Sequence, residues 1–213
     1  MTTLSPSQEQ IRTSPMTGRT FVEAGAGTGK TRVLISRAQY LIGQGLRPQE
    51  VLFLVFSQAA RDELRRRLQG ERLNCQVQTV HGFAVKEMSL GSDLNILPPE
   101  DPGWRKILFD LQLQFPRAGQ QVAAMLELAW QAPFTELPVN LRTLRLAAEE
   151  RLAQAGEDGY AAYTFTSLLA TLLDHWDADP AALVRARLGF QAVIVDEVQD
   201  VSRLQARVID RLA

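Results

Sequence analysis

This chain of 213 residues has a single cysteine, Cys75, and two histidines. An internal disulfide is excluded, and so is a zinc cluster built on cysteines. Charge of one sign is missing too: 23 Lys+Arg stand against 24 Asp+Glu, a formal net charge of −1. That balance excludes a histone-like protein that holds nucleic acid by bulk charge, though not a local basic track. The stretch from Met1 to Thr13 is polar and lacks an apolar signal core. No apolar run approaches the roughly 18–20 residues of a membrane span. Together these absences point to a reducing, cytoplasmic setting. What is present is 46% hydrophobic residues, enough to bury a core, in a length that suits one or two domains.

Four short apolar runs read as buried parallel strands: Thr20–Ala24, Val51–Phe56, Cys75–Thr79 and Ala192–Asp196. Helical periodicity separates the first three, with Val33, Leu34, Ala38, Leu41 and Ile42 on one face and Ala59, Ala60, Leu64 and Leu68 on another. Alternation of this kind predicts an α/β fold, a parallel sheet covered by helices. From Val85 to Gly189 strand signal is scarce. Helical stretches at Trp104–Phe115, Gln120–Ala132, Leu141–Ala155, Thr166–Trp176 and Ala181–Leu188 are punctuated by prolines and by Gly156 and Gly159. The expected division is an α/β lobe made of 1–84 and 190–213, with a mostly helical insertion, 85–189, between its halves. A last helix is expected over about Arg203 to Leu212.

The first predicted strand runs into Gly25-Ala26-Gly27-Thr28-Gly29-Lys30-Thr31 and then into a helix. Glycines let a backbone turn its N–H groups inward around phosphate oxygens, and the helix adds the positive end of its dipole. Lys30 then reaches the β- and γ-phosphates, and the Thr31 hydroxyl holds Mg2+. Where the strict phosphate-loop pattern opens with glycine, this chain has Ala24. The bland alternative is a glycine-rich turn ahead of Lys-Thr; strand before and helix after favour the phosphate site.

Ala192-Val193-Ile194-Val195 delivers Asp196-Glu197 to the C-terminal edge of the sheet, where ligands bind in open α/β folds. One carboxylate serves the Mg2+ shell and the second orients or deprotonates a water, so Asp196 takes the first role and Glu197 the second. Alone, Asp-Glu reads as a solvated turn; paired with an upstream phosphate loop, that reading loses.

Gln8, Ala24–Arg32, Phe56–Leu68, Gln78–Phe83 and Val193–Asp200 together resemble the early motifs of UvrD/Rep-type helicases of superfamily 1A. In that family Ala is common where Ala24 stands, and Asp196-Glu197-Val198-Gln199-Asp200 matches the family's Asp-Glu-x-Gln-Asp run. The resemblance covers both ends of the chain and fits the middle loosely. It implies an incomplete P-loop NTPase (RecA-like) parallel sheet, with ATP and Mg2+ as cofactors. It also implies Lys30, Asp196, Glu197 and Gln199 as catalytic residues, and Thr31 and Asp196 at the metal. The nucleotide is held by Gln8, Ala24, Gly25, Ala26, Gly27, Thr28, Gly29, Lys30, Thr31 and Arg32. Of these, Gln8 resembles the glutamine that reads adenine, since an amide both accepts and donates, and Arg32 the arginine beside base and sugar. Phe56, Ser57, Gln58, Thr79, His81 and Phe83 lie in motifs that contact single-stranded DNA. Without the family, Gln8 is an exposed polar residue, Arg32 a surface residue, Phe56 equally a core residue, Ser57 a helix cap and His81 a helix-start residue. The basic run Arg61, Arg65, Arg66, Arg67 and Arg72 reads first as a solvated face balanced by Asp62, Glu63 and Glu71, and second as a phosphate track. Thr164–Leu169 reads as helix packing.

The resemblance stops at the acidic motif. A helicase of this kind needs a second lobe that brings arginines to the γ-phosphate, and opens and closes around ATP. The chain alone is therefore expected to be weakly active or inactive, acting on single-stranded and duplex DNA only with a second lobe or a complementing chain. In the implied fold the next strand inserts between the phosphate-loop strand and the acidic strand; that strand would follow Ala213, so a gap in the sheet and poor stability in isolation are expected. Two other classes stay open: a P-loop enzyme such as a small-molecule kinase, which the Asp-Glu-x-Gln-Asp run speaks against, and a non-catalytic module that binds ATP or DNA, or a decayed remnant, where intact Lys30, Thr31, Asp196 and Glu197 speak against decay.

Overall fold

A computed structural model describes residues 4–15, 17–25, 27–89, 94–156 and 161–213. They form two compact units, one made of 1–80, 183–201 and 209–213, the other of 81–182 and 202–208.

The first unit is built on a three-stranded parallel sheet in the order β2-β1-β5, with β1 at Val51–Val55, β2 at Gln76–Thr79 and β5 at Ala192–Val195. β1 is central because it is apolar on both faces: each of its five residues is at most 2% exposed. Val51, Phe53 and Val55 share a core with Ile35, Ala38 and Leu41 of α2 (Lys30–Gly43) and with Leu64 and Leu68 of α3 (Gln58–Gly70). Phe53 is wholly buried, and a ring at that depth leaves a cavity when removed. Phe53→Ala is expected to cost about 3–5 kcal/mol, read as a lower urea midpoint at an unchanged denaturant slope; an unchanged midpoint would show the sheet to be less close-packed than described.

Two local elements escaped the sequence pattern. Helix α1, Pro6–Arg12, is seven residues long and buries none of them, so it has no apolar stripe to detect. It is set by its start: Ser5 accepts from the backbone of Gln8, Gln8 accepts from the backbone of Ser5, and Pro6 occupies the first turn. Helix α4, Val80–Ser89, follows β2 without a break.

One expected strand does not form. Thr20–Ala24 is extended but makes no ladder with any described strand. Phe21 is 81% exposed and Val22 42%. A strand exists by its neighbours' hydrogen bonds. Among the described residues β5 pairs with β1 alone, and 20–24 pairs with no strand. The remaining expected strands form within a residue of their predicted bounds.

The second unit is helical. α5 (Pro102–Gln114), α6 (Val122–Gln131), α7 (Val139–Ala155) and α8 (Phe165–Ala178) surround a core that includes Trp104, Leu111, Leu126, Trp130, Leu144 and Leu152. A two-residue parallel pair, β3 (Asn95–Ile96) with β4 (Ala162–Tyr163), is too short to show in a sequence pattern. Thr164 is buried and caps α8 by accepting from Ser167 N at 3.1 Å, a packing role as expected. Helices α9 (Pro180–Arg187) and α10 (Arg203–Leu212) complete the elements. No helix among the described residues is long and apolar enough to cross a membrane.

Candidate functional site

Parallel pairing brings the C-terminal ends of the three strands to one edge. Leu54 pairs with both Gln78 and Val195, and Asp196 N donates to the carbonyl of Leu54 at 3.2 Å. Phe56–Gln58, Thr79 and Asp196–Glu197 therefore leave the sheet on the same side. Residues far apart in sequence meet there because parallel strands all point one way.

The glycine-rich loop 24–29 enters this edge. Gly27 and Gly29 have φ of +73° and +86°, and Gly29 is the residue before α2 begins at Lys30. Left-handed backbone at two alternate positions is what glycine permits and a Cβ resists. Thr28 Oγ1 donates to the Gly25 carbonyl at 2.8 Å, tightening the loop. Ala24 is half-buried at its entry. Ala26 lies outside the described residues.

The two halves of the site meet across 167 residues of sequence. Lys30 Nζ sits 2.8 Å from Glu197 Oε2. Gln199 Nε2 donates to the same carboxylate oxygen, and Glu197 N donates to Asp196 Oδ1 at 3.0 Å. Glu197 has a positive φ of 52°, rare for a residue with a Cβ, and that turn swings its carboxylate onto Lys30. An open cleft of ≈ 670 Å³ is lined by Ala24, Gly27, Gly29, Lys30, Thr31, Arg32, Arg67, Glu197 and Gln199.

The carboxylates are pushed in opposite directions. Lys30 holds the Glu197 carboxyl below the ordinary value, with Gln199 adding to the effect. Burial pushes Asp196 up, and the neighbouring Glu197 charge adds to it, against weaker help from Lys30 and Arg67. The Lys30 ammonium is raised by its bond to Glu197.

Asp196 is thus a half-buried carboxylate whose ionisation costs energy, which a hard divalent cation would relieve. Carboxylate and hydroxyl oxygens are the ligand chemistry Mg2+ takes, so Asp196 and Thr31 fit the ion. No cluster of three or more His, Cys, Asp or Glu gathers among the described residues. Because the Asp196 pKa is raised, its protonation begins above the usual Asp range as pH falls. A Mg2+ ion held by Asp196 would therefore be lost at higher pH than from an unperturbed aspartate, and Asp196→Asn would remove that pH dependence. An acid limb at the ordinary Asp position, measured by isothermal titration, would contradict the buried setting.

Gln8 of α1 donates from Nε2 to the Thr28 carbonyl at 3.0 Å, beside the phosphate loop. Arg32 is exposed on the cleft wall. Arg67 was read from sequence as part of a solvated face; it does pair with Glu63 at 2.6 Å, yet it also lines the cleft. Only the pairing of α3 with the sheet edge could reveal that, because a helical wheel shows which face a residue is on and not what the face meets. Arg65, also exposed, donates to the Val77 carbonyl at 2.8 Å.

The residues predicted to meet DNA differ in availability. Gln58 is exposed, and Phe56 is half-buried. Ser57 caps α3, accepting from Ala60 N at 3.1 Å. Thr79 is buried at the end of β2. In the helical unit His81 packs edge-on against Phe165, 5.2 Å between ring centroids, and burial lowers its pKa. Phe83 is 2% exposed and packs against Trp176 at 6.4 Å, so its ring is a core group in this conformation.

Residues 4–95 match the family model of the UvrD/REP helicase N-terminal domain. The chain is 26% identical to DNA helicase IV of Escherichia coli over 84% of its own length and 25% of that protein. It is 24% identical to DNA helicase II of Haemophilus influenzae over 99% of its length and 32% of that protein. It is likewise 24% identical to the ATP-dependent DNA helicase PcrA of Staphylococcus epidermidis, over 98% of its length and 31% of that protein. The chain thus spans about a quarter to a third of the curated relatives it matches. Its resemblance to UvrD/Rep-type DNA helicases extends from the motifs to most of the chain.

Proposed function

We propose that this chain is the N-terminal ATP-binding portion of an ATP-dependent DNA helicase that works on DNA in the cytoplasm, in repair or recombination. The observation that carries this reading is the 2.8 Å contact between Lys30 and Glu197 within one cleft. It joins a phosphate-binding cation to the carboxylate placed to act on water, which a bare glycine-rich turn has no reason to do.

In this reading the loop 24–29 offers backbone N–H groups to the phosphates, and Lys30 leaves Glu197 for the β- and γ-phosphate oxygens. Thr31 and Asp196 hold Mg2+, which neutralises phosphate charge when bound. Glu197, released from Lys30 and still oriented by Gln199, accepts a proton from the attacking water. Gln8 reads the adenine edge and Arg32 lies beside base and sugar. Phe56, Ser57, Gln58, Thr79 and His81 belong to the segments that contact single-stranded DNA. Phe83 supports the His81 segment from within the core. The helical unit is proposed as an insertion into the nucleotide-binding lobe. A second lobe supplies the arginines for turnover, and a further strand seated at the free edge of β5 would give 20–24 a partner.

The test is a titration with a fluorescent ATP analogue and Mg2+, with and without single-stranded DNA, alongside Lys30→Ala. Binding that needs Lys30 and shifts with DNA is expected. Binding indifferent to Lys30, or coupled to a small-molecule acceptor instead of DNA, would overturn the reading.

A further inference from the structure

Helix α1 carries Gln8 and buries no residue completely, with Ile11 on it and Leu4 just before it half-buried. Polar contacts from α2 fix where it ends. Arg37 donates from Nη1 to the Arg12 carbonyl at 2.9 Å and from Nη2 to the Pro15 carbonyl at 3.0 Å. One guanidinium thus closes on the backbone just where α1 ends, using the planar fork that lysine lacks. Tyr40, one turn along α2 from Arg37, offers its ring to two cations. The guanidinium carbon of Arg12 lies 5.1 Å from the ring centroid and that of Arg37 5.6 Å. Glu9 accepts from Arg12 Nε at 2.9 Å, steadying the first of these.

At the other end of the same helix, the Gln8 amide is already aimed. Its Oε1 accepts from Ser5 N at 2.9 Å and its Nε2 donates to the Thr28 carbonyl at 3.0 Å. A glutamine amide has two N–H donors and two acceptor lone pairs. One of each is used internally, and one of each remains. The remaining pair matches the N7 acceptor and N6 amino donor of adenine, whereas guanine sets a carbonyl where adenine has its amino group.

We propose that Arg37 and Tyr40 are positioning residues for base selection, forming with Arg12 a clasp that aims the Gln8 amide at an adenine edge. This deepens the ATP-binding reading and rests on it. The clasp acts through α1 alone and has no part in holding phosphate, so it separates recognition of the base from recognition of the triphosphate.

The experiment uses the full chain with Mg2+ and three probes: fluorescent ATP, fluorescent GTP, and inorganic tripolyphosphate as competitor. Arg37→Met and Tyr40→Leu are each expected to weaken ATP about tenfold, while GTP and tripolyphosphate change by less than about twofold. Tyr40→Phe, which keeps the ring, is expected to behave as the wild type. Gln8→Ala should reproduce the loss, and combining it with Arg37→Met should add nothing further. Three affinities falling together, or an unmoved ATP-to-GTP ratio, overturns the clasp. Wild-type protein that binds tripolyphosphate through Lys30 without preferring ATP overturns the clasp but leaves the phosphate site standing. Absence of Lys30-dependent binding to any probe overturns both.

Discussion

Lys30→Ala is expected to weaken Mg-ATP binding about 10–100-fold, the range for losing hydrogen bonds to a charged group. Glu197→Gln is expected to do the opposite, tightening Mg-ATP about two- to fivefold. The sign follows from the 2.8 Å contact between them. Before Lys30 can reach phosphate it must leave Glu197, and a partly exposed ion pair of this kind is a modest competitor. Gln removes the charge and keeps the shape, so the competition falls while the cleft is unchanged. Turnover, in the presence of a supplied second lobe, should move with neither affinity: Glu197→Gln should lower it by roughly 10²–10⁴, the usual contribution of a general base. The pair is intact across neutral pH. The depressed Glu197 loses its contribution only as pH falls through its lowered pKa, and the raised Lys30 only as pH rises through a value above 10.5. The tightening by Glu197→Gln should therefore be flat between pH 6 and 9 by estimate, about the window in which neither group titrates. If Glu197→Gln weakens ATP as Lys30→Ala does, Glu197 contributes to binding and the competition does not exist.

Arg145→Ala is expected to destabilise the helical unit by about 3–4 kcal/mol, lowering its melting midpoint by roughly 15–20 °C. Arg145 is 1% exposed in the middle of α7. Its Nε donates to Glu149 Oε1 at 2.7 Å, it pairs with Asp174 of α8, and its guanidinium lies 5.3 Å from the centre of the Phe134 ring. Alanine removes the packing of a long side chain and leaves two carboxylates without their cation. Arg145→Met keeps most of the volume, and the carboxylates, 31% and 30% exposed, can turn to water. Its cost is therefore expected to be smaller, about 1–2 kcal/mol. Equal losses for Ala and Met in thermal melts would assign the whole effect to charge; no loss in either would show that the network holds nothing. Arginine at that position breaks no helical pattern, so nothing in the sequence marks it as buried; α7 meets α8 around it only in three dimensions.

Much of the site was legible because its chemistry is local. The turn at Gly27 and Gly29 was readable because positive φ is a property of adjacent residues that glycine permits. Asp196 and Glu197 stand together because an apolar strand ends there. The helices of the middle region were readable from their 3.6-residue period and their prolines, as was β1 from its unbroken apolar run.

Other features depended on what each segment meets. Thr20–Ala24 has the composition of a strand, but hydrogen bonds between strands are not a property of either one alone, and it pairs with no described strand. Phe83 and Phe56 carry the same ring; Trp176 buries the first, while the second stays half-buried at the sheet edge. Arg67 and Arg66 are neighbours on α3, yet only Arg67 lines the cleft, because the helix is docked on one side. The sequence by itself determined the reactive groups and the regular elements, which short-range geometry and periodicity specify. Tertiary structure alone decided which carboxylate Lys30 meets, which arginines leave solvent, and how a helix with no buried residue holds Gln8 beside the phosphate loop, since each depends on contacts between residues far apart in the chain.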